Sequence, residues 1–185
     1  MNRAFVFIDG SNFYYKLKEL TSIINIKISL LDFNFYKFSE WLVGQNNLIE
    51  ARYYIGAIKR RNDSKSEQLY ADQQRLLAKL HNQNIPVILG QLIQHPDKTF
   101  HEKGVDVRLS VEMIRFARQD KYDMAYLISS DTDIVAAVEE VKSFGKKVNY
   151  VGIAKGQSFG LTKVSDNTIL LRAEDIEQFL PKVLI

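Results

Sequence analysis

The sequence predicts a three-layer α/β fold with helices on both faces of a central, mainly parallel sheet. Two observations carry the prediction. Short apolar runs, rich in β-branched and aromatic residues, alternate along the chain with longer segments of helical period. The 185 residues include 9 Gly and 3 Pro, so few positions interrupt regular structure.

The elements follow in order. Residues 4–8 (AFVFI) read as a buried strand, 11–20 as a helix and 33–43 as a second helix. Residues 52–57 (RYYIGA) form a second strand, and 66–81 a long helix with Leu69, Leu76, Leu77 and Leu80 on its apolar face. A third strand starts at 86–89, with a reach as far as Ile93. A helix over 105–117 places Val107, Val111 and Ile114 in register. Residues 125–128 form a fourth strand. The helix over 132–144 ends at Gly145, a residue type that closes helices. Residues 148–151 make a fifth strand, 168–171 a sixth, and 174–180 a closing helix. At this length the expectation is a single domain over 1–185, with a core of about 4–179. No repeat or linker interrupts it.

Composition removes several function classes. The chain has no Cys, which excludes disulfides, Cys-ligated zinc, iron–sulfur clusters and a thiol nucleophile. Its three His (81, 95, 101) are scattered. No apolar run approaches the roughly 18 residues of a membrane helix. Asp9 cuts the first apolar run short, which speaks against a signal peptide. The expected location is the cytoplasm. The net charge of +3 permits a phosphate-bearing partner without demanding one. Two stretches are basic: Lys142, Lys146, Lys147, Lys155 and Lys163, with no acid between residues 141 and 163, and Lys59-Arg60-Arg61 with Lys65. Solvated surface is the simpler reading of both.

In doubly wound folds ligands bind beyond the carboxyl ends of the strands, where strand order reverses. Three places carry acids at that level. Asp9 ends the first strand, in the run Asp9-Gly10-Ser11-Asn12. Asp131 and Asp133 follow the fourth strand, in Ser129-Ser130-Asp131-Thr132-Asp133. Asp106 opens a helix, in Lys103-Gly104-Val105-Asp106. Each has a structural reading. Asp131, Asp133, Ser11 or Asn12 would cap a helix, and Asp106 would complement a helix dipole. Capping needs one acid per helix, however, and Asp131 and Asp133 crowd one turn.

If the first and fourth strands are neighbours, four carboxylates converge. Two carboxylates 4 Å apart repel by about 4 kcal/mol at an effective dielectric near 20. Several such pairs rival the ~5–15 kcal/mol stability of a domain, so either pKa values rise or a cation neutralises the cluster. An all-oxygen donor set selects hard ions, Mg²⁺ or Mn²⁺. Such an ion turns bound water into a nucleophile at neutral pH and stabilises charge on phosphorus. Other acidic sites fail on single residues. An adhesion-type D-x-S-x-S needs Ser where Phe13 stands, and a haloacid-type phosphatase needs Asp where Ser11 stands. A Toprim-like site would want Glu in place of Asp9, and no Gly-rich P-loop is present.

The ordered set DGSN, KGVD and SSDTD, followed by GKKV, resembles the NYN domain family of the PIN-like nucleases, closest to its LabA-like bacterial branch. The resemblance runs from about residue 4 to about 179. It implies a PIN-like (Rossmann-like) fold with strand order 3-2-1-4-5. It also implies metal-dependent cleavage of phosphodiesters, usually in RNA, leaving 5′-phosphate and 3′-hydroxyl ends. Carried over residue by residue, Asp9, Asp106, Asp131 and Asp133 match the acidic metal-site positions, with one or two ions. Asn12 matches the Asn that orients water or the scissile phosphate, and Ser129 the Ser ahead of the paired acids. The family commonly has S-G-D-x-D-F, where this chain has Ser130 and Ile134. It often has an acid six residues after the Asp of GVD, here Glu112, which reads either as a further ligand or as a solvated helix residue.

Around this rim, Lys103, Arg108 and Lys155 are expected to meet a polyanion, with salt-dependent binding. Phe33, Phe35, Tyr36, Phe38 and Trp41 read as core or partner-facing helix before base-stacking, and so do Tyr14, Tyr15, Tyr53 and Tyr54. The expectation is an endoribonuclease, with RNA favoured over DNA as partner and a homodimer as the default oligomeric state. The alternative from another class is a non-catalytic RNA- or protein-binding regulatory module that retains the acidic cleft.

Overall fold

The computed structural model describes residues 1–23, 29–58, 63–94 and 100–180. Seven strands form one sheet: β1 (Arg3–Asp9), β2 (Asn47–Gly56), β3 (Val87–Gln94), β4 (Phe100–Lys103), β5 (Met124–Ile128), β6 (Lys147–Ile153) and β7 (Asn167–Leu171). The helices are α1 (Gly10–Ile23), α2 (Phe35–Val43), α3 (Ser64–Asn82), α4 (Val105–Arg118), α5 (Val135–Ser143), α6 (Phe159–Val164) and α7 (Ala173–Glu177). The sheet order is β4-β3-β2-β1-β5-β6-β7. Every neighbouring pair is parallel except β3 with β4. Leaving out β4, the six parallel strands run 3-2-1-4-5-6, the expected order with the last strand added.

Alternation along β1 builds two cores at once. Ala4, Val6 and Ile8 face one side and Phe5 and Phe7 the other, all of them buried, because successive side chains of a strand point to opposite faces. On the first side they meet Phe13 and Leu17 of α1, Phe35 and Phe38 of α2, Leu80 of α3 and Ile176 of α7. On the second they meet Leu109 and Met113 of α4, Val138 and Val141 of α5 and Leu161 of α6. The chain winds outward from β1 to β3, then returns to lay β5 on the other side of β1. The reversal of strand order therefore falls between β1 and β5.

The hairpin β3–β4 positions a functional element. β2 pairs β3 over Val87 to Gly90, whereas β4 pairs only residues 91 to 94 of β3. The hairpin thus extends past the carboxyl end of β2 and brings the chain back to the rim. There Gly104, at φ 84°, makes the turn into α4, a left-handed conformation that favours glycine.

The structure departs from the sequence expectations in several places. β2 starts at Asn47, five residues early, because residues 47–50 pair with the start of β1 despite their polar alternation. The strand β4 and the helix α6 have no counterpart in the predicted elements; each is six residues or shorter, too brief for periodicity to register. The predicted helix over 132–144 opens as a 3-10 turn (Thr132–Ile134) before α5, and Gly145 ends it at φ 73°. In α4 the expected apolar register is the wrong stripe. Val107 and Val111 are 60% and 53% exposed, while Val105, Leu109, Met113 and Phe116 are buried. Both sets satisfy a 3.6-residue period, and only the sheet decides between them. In α3, Leu76 and Leu80 are buried but Leu69 is exposed. Among the aromatics, Phe33, Phe35, Phe38, Tyr53 and Tyr54 are core, as expected, whereas Tyr14 and Tyr15 are exposed.

Candidate metal centre

The first strand delivers Asp9 to the rim, almost wholly buried. Its carboxylate accepts three hydrogen bonds: Asn12 N at 3.1 Å, Asn12 Nδ2 at 2.6 Å and Ser129 Oγ at 2.9 Å. The Asp9-to-Asn12 spacing makes this local, since the side chain of Asp9 receives the amide of the first turn of α1 as a cap would. Ser129, just past β5, reaches Asp9 because β1 and β5 are parallel neighbours with Ile8 opposite Ile128. Its hydroxyl also accepts the Asp131 amide at 3.1 Å. Ser130 donates to Asn12 Oδ1. The serine that stands where the family has glycine is therefore tied into the site. Ile134, where the family has Phe, is fully buried in the α4–α5 core.

Gly10 must be a glycine for a packing reason. A Cβ there would lie 2.4 Å from the ring of the fully buried Tyr53, whose hydroxyl donates to the Gly10 carbonyl at 3.3 Å. Burial and the nearby Asp9 both push the Tyr53 phenol up from its ordinary value. Lys16, one turn beyond Asn12 on α1, is also buried. Desolvation pulls its ammonium down, and the charges of Glu19 and Asp9 hold it up.

Asp106, Asp131 and Asp133 converge. One carboxylate oxygen from each lies within 4.8 Å of the others; Asp106 and Asp131 are half-buried and Asp133 is exposed. Asp131 accepts the Asp133 amide at 3.0 Å, so the capping reading holds for that residue. Capping uses one of its oxygens and leaves the rest of the group facing its neighbours. Among the described residues no cation is paired with any of the three. The donor set is all oxygen, which fits a hard divalent cation. Asp9 is not in this group; it lies behind it, joined through Ser129.

The other predicted site residues are placed as follows. Ser129 is fully buried and ties Asp9 to Asp131. Arg108 is exposed, but two residues beyond Asp106 it stands about 200° round the helix from it. Lys155 is exposed and pairs with Glu19 at 2.9 Å. Lys103 ends β4 with its side chain outside what is described, and Lys59, Arg60 and Arg61 lie outside the described residues. The long basic stretch is largely neutralised: Lys142 meets Asp166 at 3.4 Å and the Val164 carbonyl at 2.8 Å, and Lys146 meets Asp120. Glu112 is neither ligand nor solvated. It is buried on the sheet side of α4, accepting from Tyr54 Oη at 2.8 Å and Arg115 at 3.0 Å, with Arg52 Nε 3.1 Å away. Six residues is 240° of helix, so Glu112 cannot share a face with Asp106.

A doubly wound sheet with a carboxylate triad at its switch point is consistent with a PIN-like α/β domain. Within that class, the NYN domain model matches residues 3–174, and the chain belongs to the NYN domain family. That family is a PIN-like nuclease family, which supports a nuclease kind of function; the match does not reach the LabA-like branch. A solved protein of unknown function from Vibrio parahaemolyticus is 22% identical, with a TM-score of 0.66 over 97% of this chain and 96% of that one. It shares the fold. A PLP-bound protein from Clostridium difficile, assigned as an aminotransferase, is 8% identical with a TM-score of 0.30 over 76% of this chain and 41% of that one, too low to carry an argument. No curated protein matches the chain. No helix among the described residues is long and apolar enough to cross a membrane.

Proposed function

We propose that this protein is a Mg²⁺- or Mn²⁺-dependent endoribonuclease. The observation that carries the reading is the convergence of Asp106, Asp131 and Asp133 where strand order reverses. Three carboxylates within 4.8 Å, with no cation beside them among the described residues, are costly without a counter-ion. A hard divalent cation bound there supplies Lewis acidity toward a phosphoryl oxygen and lowers the pKa of water.

The chain's own residues then divide the work. Asp106, Asp131 and Asp133 hold the cation. Asp9 fixes the Asn12 amide, whose oxygen is engaged by Ser130 and whose Nδ2 spends one hydrogen on Asp9. The second Nδ2 hydrogen is the donor free for a phosphate oxygen. Asp9 and Ser129 act as positioning groups behind the three ligands. Lys155, exposed after β6, and Arg108, exposed on α4, add positive charge that draws a polyanion. In-line attack by water on phosphorus, with the bond to the 3′ oxygen breaking and that oxygen leaving as the hydroxyl, gives 5′-phosphate and 3′-hydroxyl ends.

The test is cleavage of a labelled single-stranded RNA, with a DNA control, in Mn²⁺, Mg²⁺ and EDTA beside Asp106→Asn and Asp9→Asn. Metal-dependent cutting that both variants lose is expected. A folded wild type that binds Mn²⁺ and leaves RNA intact under all conditions would overturn the reading.

A further inference from the structure

A cleft of about 500 Å³ opens between α1, the end of β2 and α3, lined by Ser11, Tyr14, Tyr15, Ile58, Leu69 and Asp72 among others. Gly10 and Ser11, which both line it, directly follow Asp9 in the chain, so the cleft adjoins the carboxyl end of β1. Its volume lies within the range of small-ligand sites. Three large apolar side chains stand open around it: Tyr14 is 38% exposed, Tyr15 68% and Leu69 47%. The two tyrosine rings lie 5.5 Å apart at 59°.

The walls are pinned in place. Gln73 is buried, donating to the Gly56 carbonyl at 2.6 Å and accepting from the Ile58 amide at 2.7 Å. Tyr53 is anchored to Gly10. The cleft therefore does not depend on a ligand to hold it open. Its polar character is asymmetric. Asp72 Oδ1 accepts from Gln68 at 3.0 Å and Arg75 at 3.1 Å. No partner among the described residues takes Oδ2, and with the side chain 46% exposed this acceptor stands open at the rim of the cleft. A planar base with an N–H edge satisfies it while stacking on tyrosine, and aromatic stacking is how single strands are held without regard to backbone sequence.

We infer that this cleft is a nucleobase subsite, which takes the base of a nucleotide flanking the scissile phosphate and favours bases with adjacent N–H donors, guanine above all. The inference rests on the nuclease reading for its substrate, but its test does not require cleavage. Binding of a fluorescein-labelled eight-nucleotide single-stranded RNA is followed by anisotropy in EDTA, with one guanine or none in an otherwise identical sequence and with the matching DNA. Tyr14→Ala/Tyr15→Ala is expected to weaken binding about tenfold or more, within the range for loss of one stacked base. Tyr15→Trp is expected to bind at least as well as wild type. Asp72→Asn is expected to erase the preference for the guanine-containing strand. Both tyrosines are exposed, so thermal melting of the double variant should match wild type. Equal RNA binding by wild type and the double variant, or no binding by wild type, overturns the subsite. In the cleavage assay the double variant should raise KM and keep kcat. Tyrosine-dependent binding by a wild type that does not cut would remove the nuclease reading and leave the subsite standing.

Discussion

Neutralising Asp106 should stabilise the metal-free protein. Its carboxylate faces those of Asp131 and Asp133, all within 4.8 Å. At that distance each pair repels by about 0.9 kcal/mol at the dielectric of water and about 3.5 kcal/mol at an effective value of 20. One of the three groups is exposed, so the lower figure is the better guide, and two pairs are relieved together. The separation is shorter than the ~8 Å Debye length at physiological salt, so screening is incomplete. Against this, Asp106 sits in the first turn of α4, where a negative charge is worth about 0.3–1 kcal/mol. The repulsion wins by about 1 kcal/mol. For a domain of this size that corresponds to a rise of roughly 2–4 °C in Tm. The assay is calorimetric melting of wild type and Asp106→Asn in EDTA at low salt, then in Mn²⁺. Wild type should gain about 2.7 kcal/mol when Mn²⁺ stands at a hundred times its Kd, and the variant, short of one ligand, much less. A variant that melts at or below the wild-type temperature in EDTA, with an unchanged Mn²⁺ response, would refute the reasoning.

Three further outcomes follow from the packing. Glu112→Ala leaves Arg52 and Tyr54 buried beside an empty space; with Glu50 still on Arg52, the cost should sit near the low end for a broken buried pair, ~3 kcal/mol in guanidinium unfolding, while calorimetric Mn²⁺ affinity stays at the wild-type value. Gly10→Ala forces a methyl onto the Tyr53 ring and should cost about 1–3 kcal/mol as overpacking does; an unchanged denaturation midpoint would show that the ring can yield. At the opposite end of the sheet, hydrogen bonds from Arg3 hold the Asp123 carboxyl down at about 2, against ~3.9 when unfolded. A depressed acid stabilises above its unfolded pKa and loses that contribution as pH falls through the folded one. The Tm gap between wild type and Asp123→Asn should therefore close between pH 4 and pH 2.

Most of the parallel core was legible because buried strands announce themselves as short apolar runs, and β1, β5 and β6 need no partner to be recognised. Residues 47–50 and β4 were not legible, since each is a strand only through the neighbour it pairs with. The ordered acids DGSN, KGVD and SSDTD pointed to the rim, yet spacing along the chain could not tell a ligand from a positioning group. Ser129 is buried, Asp9 already accepts three hydrogen bonds, and Arg108 stands on another side of α4 from Asp106; each depends on which face the packing chose.

Composition and local pattern thus settle what acts over a few residues: element type, the Asp9–Asn12 cap, the Gly104 and Gly145 turns, and the all-oxygen donor chemistry of acidic motifs that hold neither Cys nor His. Three-dimensional packing alone settles what acts between distant segments. It selected the Val105–Leu109–Met113 stripe of α4 over the equally periodic Val107–Val111 one. It tied Glu112 to Arg52 and brought Asp106 beside Asp131 and Asp133. It also left Tyr14 and Tyr15 in the open, beside a cleft. The reason is that amphipathic period is a property of one helix, whereas burial and charge proximity are properties of two surfaces that meet only after the sheet has formed.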